Sequence, residues 1–107
     1  MEEYSIDITN GCEGDIRNIV DYISSVFLDK NLANKIALGL YADIYKLSYL
    51  APSFGFCDNE KLREEQIRKY NVKRYCIYYQ LDELNKKVTV LRIRHTLQDE
   101  NKFFRNV

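Results

Sequence analysis

The chain has 107 residues, of which 46% are apolar. These totals allow one domain, residues 1–107, and no apolar run approaches the roughly 20 residues of a membrane-spanning helix. The net charge is zero, but residues 1–60 carry four Lys/Arg and ten Asp/Glu, a net −6, whereas residues 61–95 carry ten Lys/Arg and four Asp/Glu, a net +6. The basic segment favours an anionic partner, nucleic acid or acidic protein, unless the two segments simply pack and neutralise each other.

The first half of the chain predicts one strand followed by two helices. Residues 4–9 alternate apolar and polar side chains as a half-buried strand does, and Asn10-Gly11 is expected to end it. From about Glu13 apolar residues recur at helical spacing. Asp29 is a plausible N-cap for a second helix of the same kind, which Ala51-Pro52 should stop. Two amphipathic helices so close in sequence predict an antiparallel hairpin.

The second half predicts three strands, at residues 67–72, 75–81 and 88–94, with a hairpin loop at 82–87. Alternation places Arg74 on a polar face with Cys76 and Tyr78, and it places Leu91 and Ile93 in the core. Residues 60–66 read as a loop or a short helical turn. Residues 100–107 predict a terminal helix, a strand or a loose end.

The order β-α-α-β-β-β predicts an α+β fold with a twisted, mainly antiparallel sheet. The helix hairpin is expected to cover one face of this sheet. The other face, which carries the cations, is expected to stay open as a concave working surface.

Three cysteines lie far apart in the sequence and form no CxxC or metal-type spacing. We therefore expect free thiols, a reducing cytoplasmic location, and no metal or other cofactor. The acidic start, Met-Glu-Glu-Tyr, is unlike a signal peptide.

The ordered motifs of the chain resemble those of the RelE/ParE superfamily, the toxins of bacterial type II toxin–antitoxin systems. The resemblance covers nearly the whole chain: a lone strand, a helix hairpin with a Leu-Pro-Gly end, R-x(5)-R-Y-x-I-Y-Y, a short hairpin, V-x-V-L-R-I-x-H and a final Asp. Its residues here are Leu50, Pro52, Gly55, Arg68, Arg74, Tyr75, Ile77, Tyr78, Tyr79, Val88, Val90, Leu91, Ile93, His95 and Asp99.

This resemblance implies a growth-inhibiting toxin neutralised by a cognate antitoxin, as a possible homodimer or as a heterotetramer with the antitoxin. ParE-like members poison DNA gyrase by binding it, whereas RelE-like members enter the ribosome and cut mRNA. A third alternative is an inactive member that retains only antitoxin binding. The H-x-x-x-D ending and R-Y-x-I-Y-Y look more like the ParE branch, which we take as the leading hypothesis.

If the chain were a nuclease, three residues would carry the chemistry. Arg68 and Arg74 would clamp phosphate, and His95 would be the acid or base. Glu64 or Glu65 could be a further base. Strand parity separates Arg74 from His95 unless the last strand bulges, and Thr96 stands where some of these nucleases have tyrosine. The alternative for His95 is a strand-end histidine bonded to backbone or to Asp99.

A second set of residues is expected to contact nucleic acid or a protein partner from the basic face of the sheet. Tyr78, and with less support Tyr70, would stack on a base, and the cations would contact phosphates or the antitoxin. The set comprises Arg68, Lys69, Arg74, Tyr78, Arg92 and Arg94.

Overall fold

A computed structural model describes residues 3–105 of the chain. It contains four strands in one sheet, ordered β1-β4-β3-β2, together with five α-helices in the described part. The elements are β1 (Ser5–Ile8), α1 (Asn10–Phe27), α2 (Lys30–Tyr45), α3 (Leu47–Leu50), α4 (Glu60–Glu64), β2 (Arg68–Val72), β3 (Tyr75–Asp82), β4 (Lys87–His95) and α5 (Glu100–Arg105). None of the described helices is long and apolar enough to span a bilayer.

The sheet has the predicted mainly antiparallel character. β2, β3 and β4 form an antiparallel meander, and β1 pairs in parallel with the first half of β4. The α+β fold and its element order are confirmed, with the short helices α3, α4 and α5 added. Residues 60–66 and the C-terminal segment each contribute one of these helices.

The helix hairpin covers one face of the sheet, as predicted. Ile16 of α1 and Ile44 of α2 pack in the main core with Val88, Val90 and Ile93 of β4. Burial of this kind stabilises a fold by about 25 cal/mol per Å² of apolar surface removed from water, so these stripes drive the packing. We call this side of the sheet the hairpin face.

The start of α1 differs from the prediction. Asn10-Gly11 does not break the chain but opens the helix, because the Thr9 hydroxyl accepts a hydrogen bond from the Cys12 N–H at 3.2 Å. A Cβ atom on Gly11 would lie 3.2 Å from the Leu91 carbonyl oxygen, so glycine permits α1 to begin close against β4. Asp29 caps α2 as expected, accepting from the Leu32 N–H at 3.0 Å.

A bulge in β4 overturns the face assignment made from simple alternation. Tyr79 pairs with Val90 but Tyr78 pairs with Arg92, so Leu91 is the extra residue in β4. Val90 and Ile93 therefore both lie in the main core, whereas Leu91 packs against Tyr78 on the other side. The prediction that Leu91 and Ile93 share a face was wrong, because alternation cannot reveal an inserted residue.

The face opposite the hairpin is covered, which contradicts the predicted open working surface. A second apolar cluster fills it, and the helices α4 and α5 supply part of that cluster. Its residues are Cys57, Leu62, Ile67, Cys76 and Tyr78, with Leu91 and Phe104 packed at its margin. We call this side of the sheet the capped face.

Candidate functional site

The capped face holds an ionic cluster centred on Glu100, the first residue of α5. Glu100 Oε2 accepts a hydrogen bond from the Tyr78 hydroxyl at 2.5 Å and lies 2.8 Å from Lys69 Nζ and 3.9 Å from Arg94 Nη2. A carboxylate of the chain itself therefore occupies the position among these side chains where a phosphate would be expected.

Arg94 is held as firmly as Tyr78. Its Nε donates to the Tyr78 hydroxyl at 2.9 Å, its Nη1 donates to the Gln98 carbonyl, and only 8% of the residue is exposed. Tyr78 is fully buried, with its ring edge-on to Phe104 at 4.8 Å between centroids. The predictions that Tyr78 stacks on a base and that Arg94 contacts a phosphate were wrong for this conformation, because α5 covers both side chains.

The electrostatics of the cluster favour an ionised Glu100. Burial raises the pKa of the Tyr78 phenol, and the hydrogen bond to Glu100 raises it further, so the hydroxyl remains a donor. Burial alone would raise the pKa of Glu100, but hydrogen bonds from Lys69 and Tyr78 outweigh it and lower the pKa. The cluster is therefore a stable ionic contact, not a proton-transfer site near neutral pH.

Arg92, another predicted contact residue, also bonds within the chain. Its Nε and Nη2 donate to the two carboxylate oxygens of Asp15 on α1 at 2.7 and 2.9 Å, and the Ile93 N–H donates to the same carboxylate at 2.9 Å. The guanidinium also lies 4.4 Å from the centre of the Phe103 ring on α5. Arg92 thus joins α1, the β4 bulge and α5.

Arg68 anchors the loop that precedes α4. Its Nη1 donates to the Phe54 carbonyl at 2.6 Å, and its guanidinium lies 4.5 Å from the centre of the Phe56 ring. Phe54 in turn stacks on Tyr70 at 4.5 Å, so this ring pair belongs to the core edge and Tyr70 is not a base-stacking residue. A phosphate clamp at Arg68 would have to displace the loop contact.

Arg74 and His95 do come together at one end of the sheet. The Arg74 carbonyl accepts from the Thr96 N–H at 2.9 Å, and the His95 ring lies edge-on to Tyr75 at 5.3 Å. The bulge supplies the parity change that simple alternation lacks. Arg74 itself lies in the β2–β3 turn and lines a groove beside α2, so its assignment to the face with Cys76 and Tyr78 was wrong.

His95 is bonded to backbone, which agrees with the alternative offered for it. Its Nδ1 accepts from the Leu97 N–H at 3.1 Å. Asp99, the other suggested partner, instead caps α5 by accepting from the Lys102 N–H at 3.0 Å. Glu64 and Glu65 are exposed at the end of α4, and no contact recorded among the described residues joins them to His95.

Sequence reasoning missed Asp15 and Glu100, the two carboxylates that pair with predicted cationic site residues. Glu100 follows Asp99, whose N-cap chemistry predicts a helix start and was a usable signal for α5. No local pattern distinguishes Asp15 from other helical acids. Within residues 3–105, no three His, Cys, Asp or Glu side chains are grouped so as to hold a metal ion.

Comparisons with known proteins agree with this architecture. The model of the family described as the ParE toxin of the type II toxin–antitoxin system, parDE, matches residues 6–100. A comparison with curated protein sequences finds no match.

Two solved structures share the fold. One is a chromosomal ParDE toxin–antitoxin system from P. aeruginosa, with a TM-score of 0.71, 16% identity, and coverage of 87% of this chain and 96% of that chain. The other is the RelBE2 toxin–antitoxin complex from Mycobacterium tuberculosis, with a TM-score of 0.67, 15% identity, and coverage of 89% and 93%. Because the family model spans most of the sequence, the chain belongs to the ParE toxin family of type II toxin–antitoxin systems.

Proposed function

We propose that this toxin inhibits growth by binding DNA gyrase in the bacterial cytoplasm, and that a cognate antitoxin silences it. The observation that carries the proposal is the capped face. Tyr78, Lys69 and Arg94, which would serve RNA contact there, are joined to Glu100 of the same chain. Membership of the ParE family and the ParE-like ending at His95 and Asp99 support gyrase as the target.

Cutting RNA requires a base, an acid and cations arranged around one phosphate. Of the proposed catalytic residues, Arg68 is bonded to the Phe54 carbonyl and His95 Nδ1 is occupied by a backbone N–H. A toxin that acts by binding needs no such convergence. It needs only a rigid surface, and the two-sided covering of the sheet provides one.

The experiment uses purified chain, gyrase, ATP and supercoiled plasmid, with linear DNA measured after detergent and protease treatment. A binding toxin should produce linear DNA in proportion to its concentration. If gyrase supercoils the plasmid normally and no linear DNA accumulates, the proposal fails. A heat-unfolded sample of the same preparation is the control for nuclease contamination.

A ribosome-dependent ribonuclease is the second candidate, because Arg74 and His95 lie at the same end of the sheet. If this candidate is right, His95→Ala should lower the rate of mRNA cleavage by about 100-fold to 10,000-fold, the usual contribution of a general acid or base. A member that only binds antitoxin should leave cells growing normally when the toxin is induced alone.

A further inference from the structure

A groove lies on the hairpin face, between α2 and the turn that joins β2 to β3. It has a volume of about 630 Å³. Its apolar lining comes mainly from Ile36 and Leu40 of α2 and from Tyr75 of β3, and the cations Lys35, Lys73 and Arg74 also line it. This combination of apolar and cationic side chains suits an amphipathic segment that carries carboxylates.

The groove has a positive balance of charge. Asp43 is its buried acid, and its Oδ2 lies 3.2 Å from Lys73 Nζ while its Oδ1 lies 3.5 Å from Lys46 Nζ. The Lys73 contact is ionic and not a well-aligned hydrogen bond. Among residues 3–105, neither Lys35 nor Arg74 is paired with a carboxylate, and both are exposed. The acid is thus already neutralised, whereas these two cations remain available.

Gly39 keeps the groove open. A glycine within a helix costs about 1 kcal/mol relative to alanine, so its presence needs a reason. Internal packing does not supply one, because a Cβ atom on Gly39 would meet only Lys73 Nζ at 3.5 Å, an ordinary contact. A side chain at this position would instead project into the groove, so glycine leaves room for a close approach by another molecule.

We propose that this groove is where an acidic amphipathic segment of the antitoxin docks. Apolar side chains of that segment would lie on Ile36, Leu40 and Tyr75, and its carboxylates would face Lys35, Lys73 and Arg74. The inference rests on the proposed function, since that supplies the antitoxin as partner. The capped face offers no comparable site, because Glu100 already occupies its cations.

The test substitutes Gly39→Leu, which fills the groove while improving helix propensity. The probe is the purified product of the small reading frame adjacent to the toxin gene, titrated calorimetrically against the intact toxin. We expect the affinity to fall at least about 30-fold, as at a binding hot spot, and the melting temperature to stay the same or rise. Gly14→Leu is the matched control, since a Cβ atom there meets only Arg17 Nη2 at 3.7 Å, and it should bind like the unaltered chain.

A charge variant tests the same surface independently of groove volume. Lys35→Glu combined with Arg74→Glu should slow association, and added salt should reduce the difference from the unaltered chain. Equal affinity of Gly39→Leu and the unaltered chain would overturn the docking site while leaving the toxin function intact. Equal losses in both glycine variants would also overturn it.

Two further outcomes separate this inference from the proposed function. If the unaltered chain does not bind the probe, the antitoxin partnership itself fails and the docking site fails with it. If Gly39→Leu abolishes gyrase poisoning but still binds the probe with full affinity, the groove contacts the target, and the docking site is overturned while the proposed function stands.

Discussion

Replacing Glu100 with alanine should loosen α5 from the capped face. The substitution removes the acceptor of the Tyr78 hydroxyl at 2.5 Å and the ionic partner of Lys69 at 2.8 Å. A hydrogen bond to a charged group contributes about 1.5–3 kcal/mol, and a buried donor left without a partner costs about 1–3 kcal/mol. Because Glu100 retains 22% side-chain exposure, we expect a loss near the lower end, about 2 kcal/mol.

Thermal unfolding followed by circular dichroism measures this loss. At about 4–8 °C per kcal/mol for a domain of this size, the melting temperature should fall by roughly 8–16 °C. Glu100→Gln keeps an acceptor for Tyr78 but removes the charge, so it should fall by about half as much. Glu64→Gln, at an exposed position on α4, is the matched control and should change stability by less than about 0.5 kcal/mol.

Acid should reveal the same contact. The folded-state pKa of Glu100 is lowered, so its contribution is fully present above the unfolded pKa, about 4.3, and is lost as pH falls through the lower folded value. The stability difference between the unaltered chain and Glu100→Gln should therefore be constant above about pH 5 and shrink at lower pH. If Glu100→Ala melts within about 1 °C of the unaltered chain at pH 7, the carboxylate does not hold α5 and this reasoning is refuted.

Three other changes test separate contacts. Asp15→Asn should cost about 3 kcal/mol in urea unfolding, because the buried pair with Arg92 is broken, whereas Asp21→Asn on the same helix should cost under about 0.5 kcal/mol; equal effects would contradict the role of Asp15. Burial raises the pKa of Cys12 to about 12 and that of Cys57 to about 11, so neither thiol should react with a disulfide reagent at pH 8 before unfolding; a fast phase in the native state would contradict this. Tyr78→Phe should lower the melting temperature by several degrees but leave gyrase poisoning unchanged, and a loss of poisoning at equal folded fraction would place Tyr78 in the working surface.

Periodicity predicted the helix hairpin, the strand meander and the face that they bury together. It succeeded because apolar spacing reflects burial directly, as in the stripe of α1 that packs on β4. The ends of elements were less accurate where a side chain competes with a turn signal, and Thr9 illustrates this by capping α1 through what looked like a break at Asn10-Gly11.

The site was harder to predict, because its character depends on contacts between distant residues. The bulge at Leu91 shifts every later side chain of β4 to the other face, and nothing local in the sequence signals the extra residue. Likewise, the pairing of Glu100 with Lys69 joins positions that only the docking of α5 brings together. Cations that look available in the sequence are therefore engaged in the fold, and Arg74 with Lys35 are the ones left exposed beside the groove.

The most direct test of a toxin that binds and does not cut is the state of mRNA on ribosomes. Purified chain is added to ribosomes held on a defined mRNA with an empty A site, and the 3′ ends of the mRNA are mapped by primer extension. We predict intact mRNA at toxin concentrations that produce linear DNA with gyrase. Cleavage within the A-site codon, lost in Arg74→Ala or His95→Ala, would contradict the account.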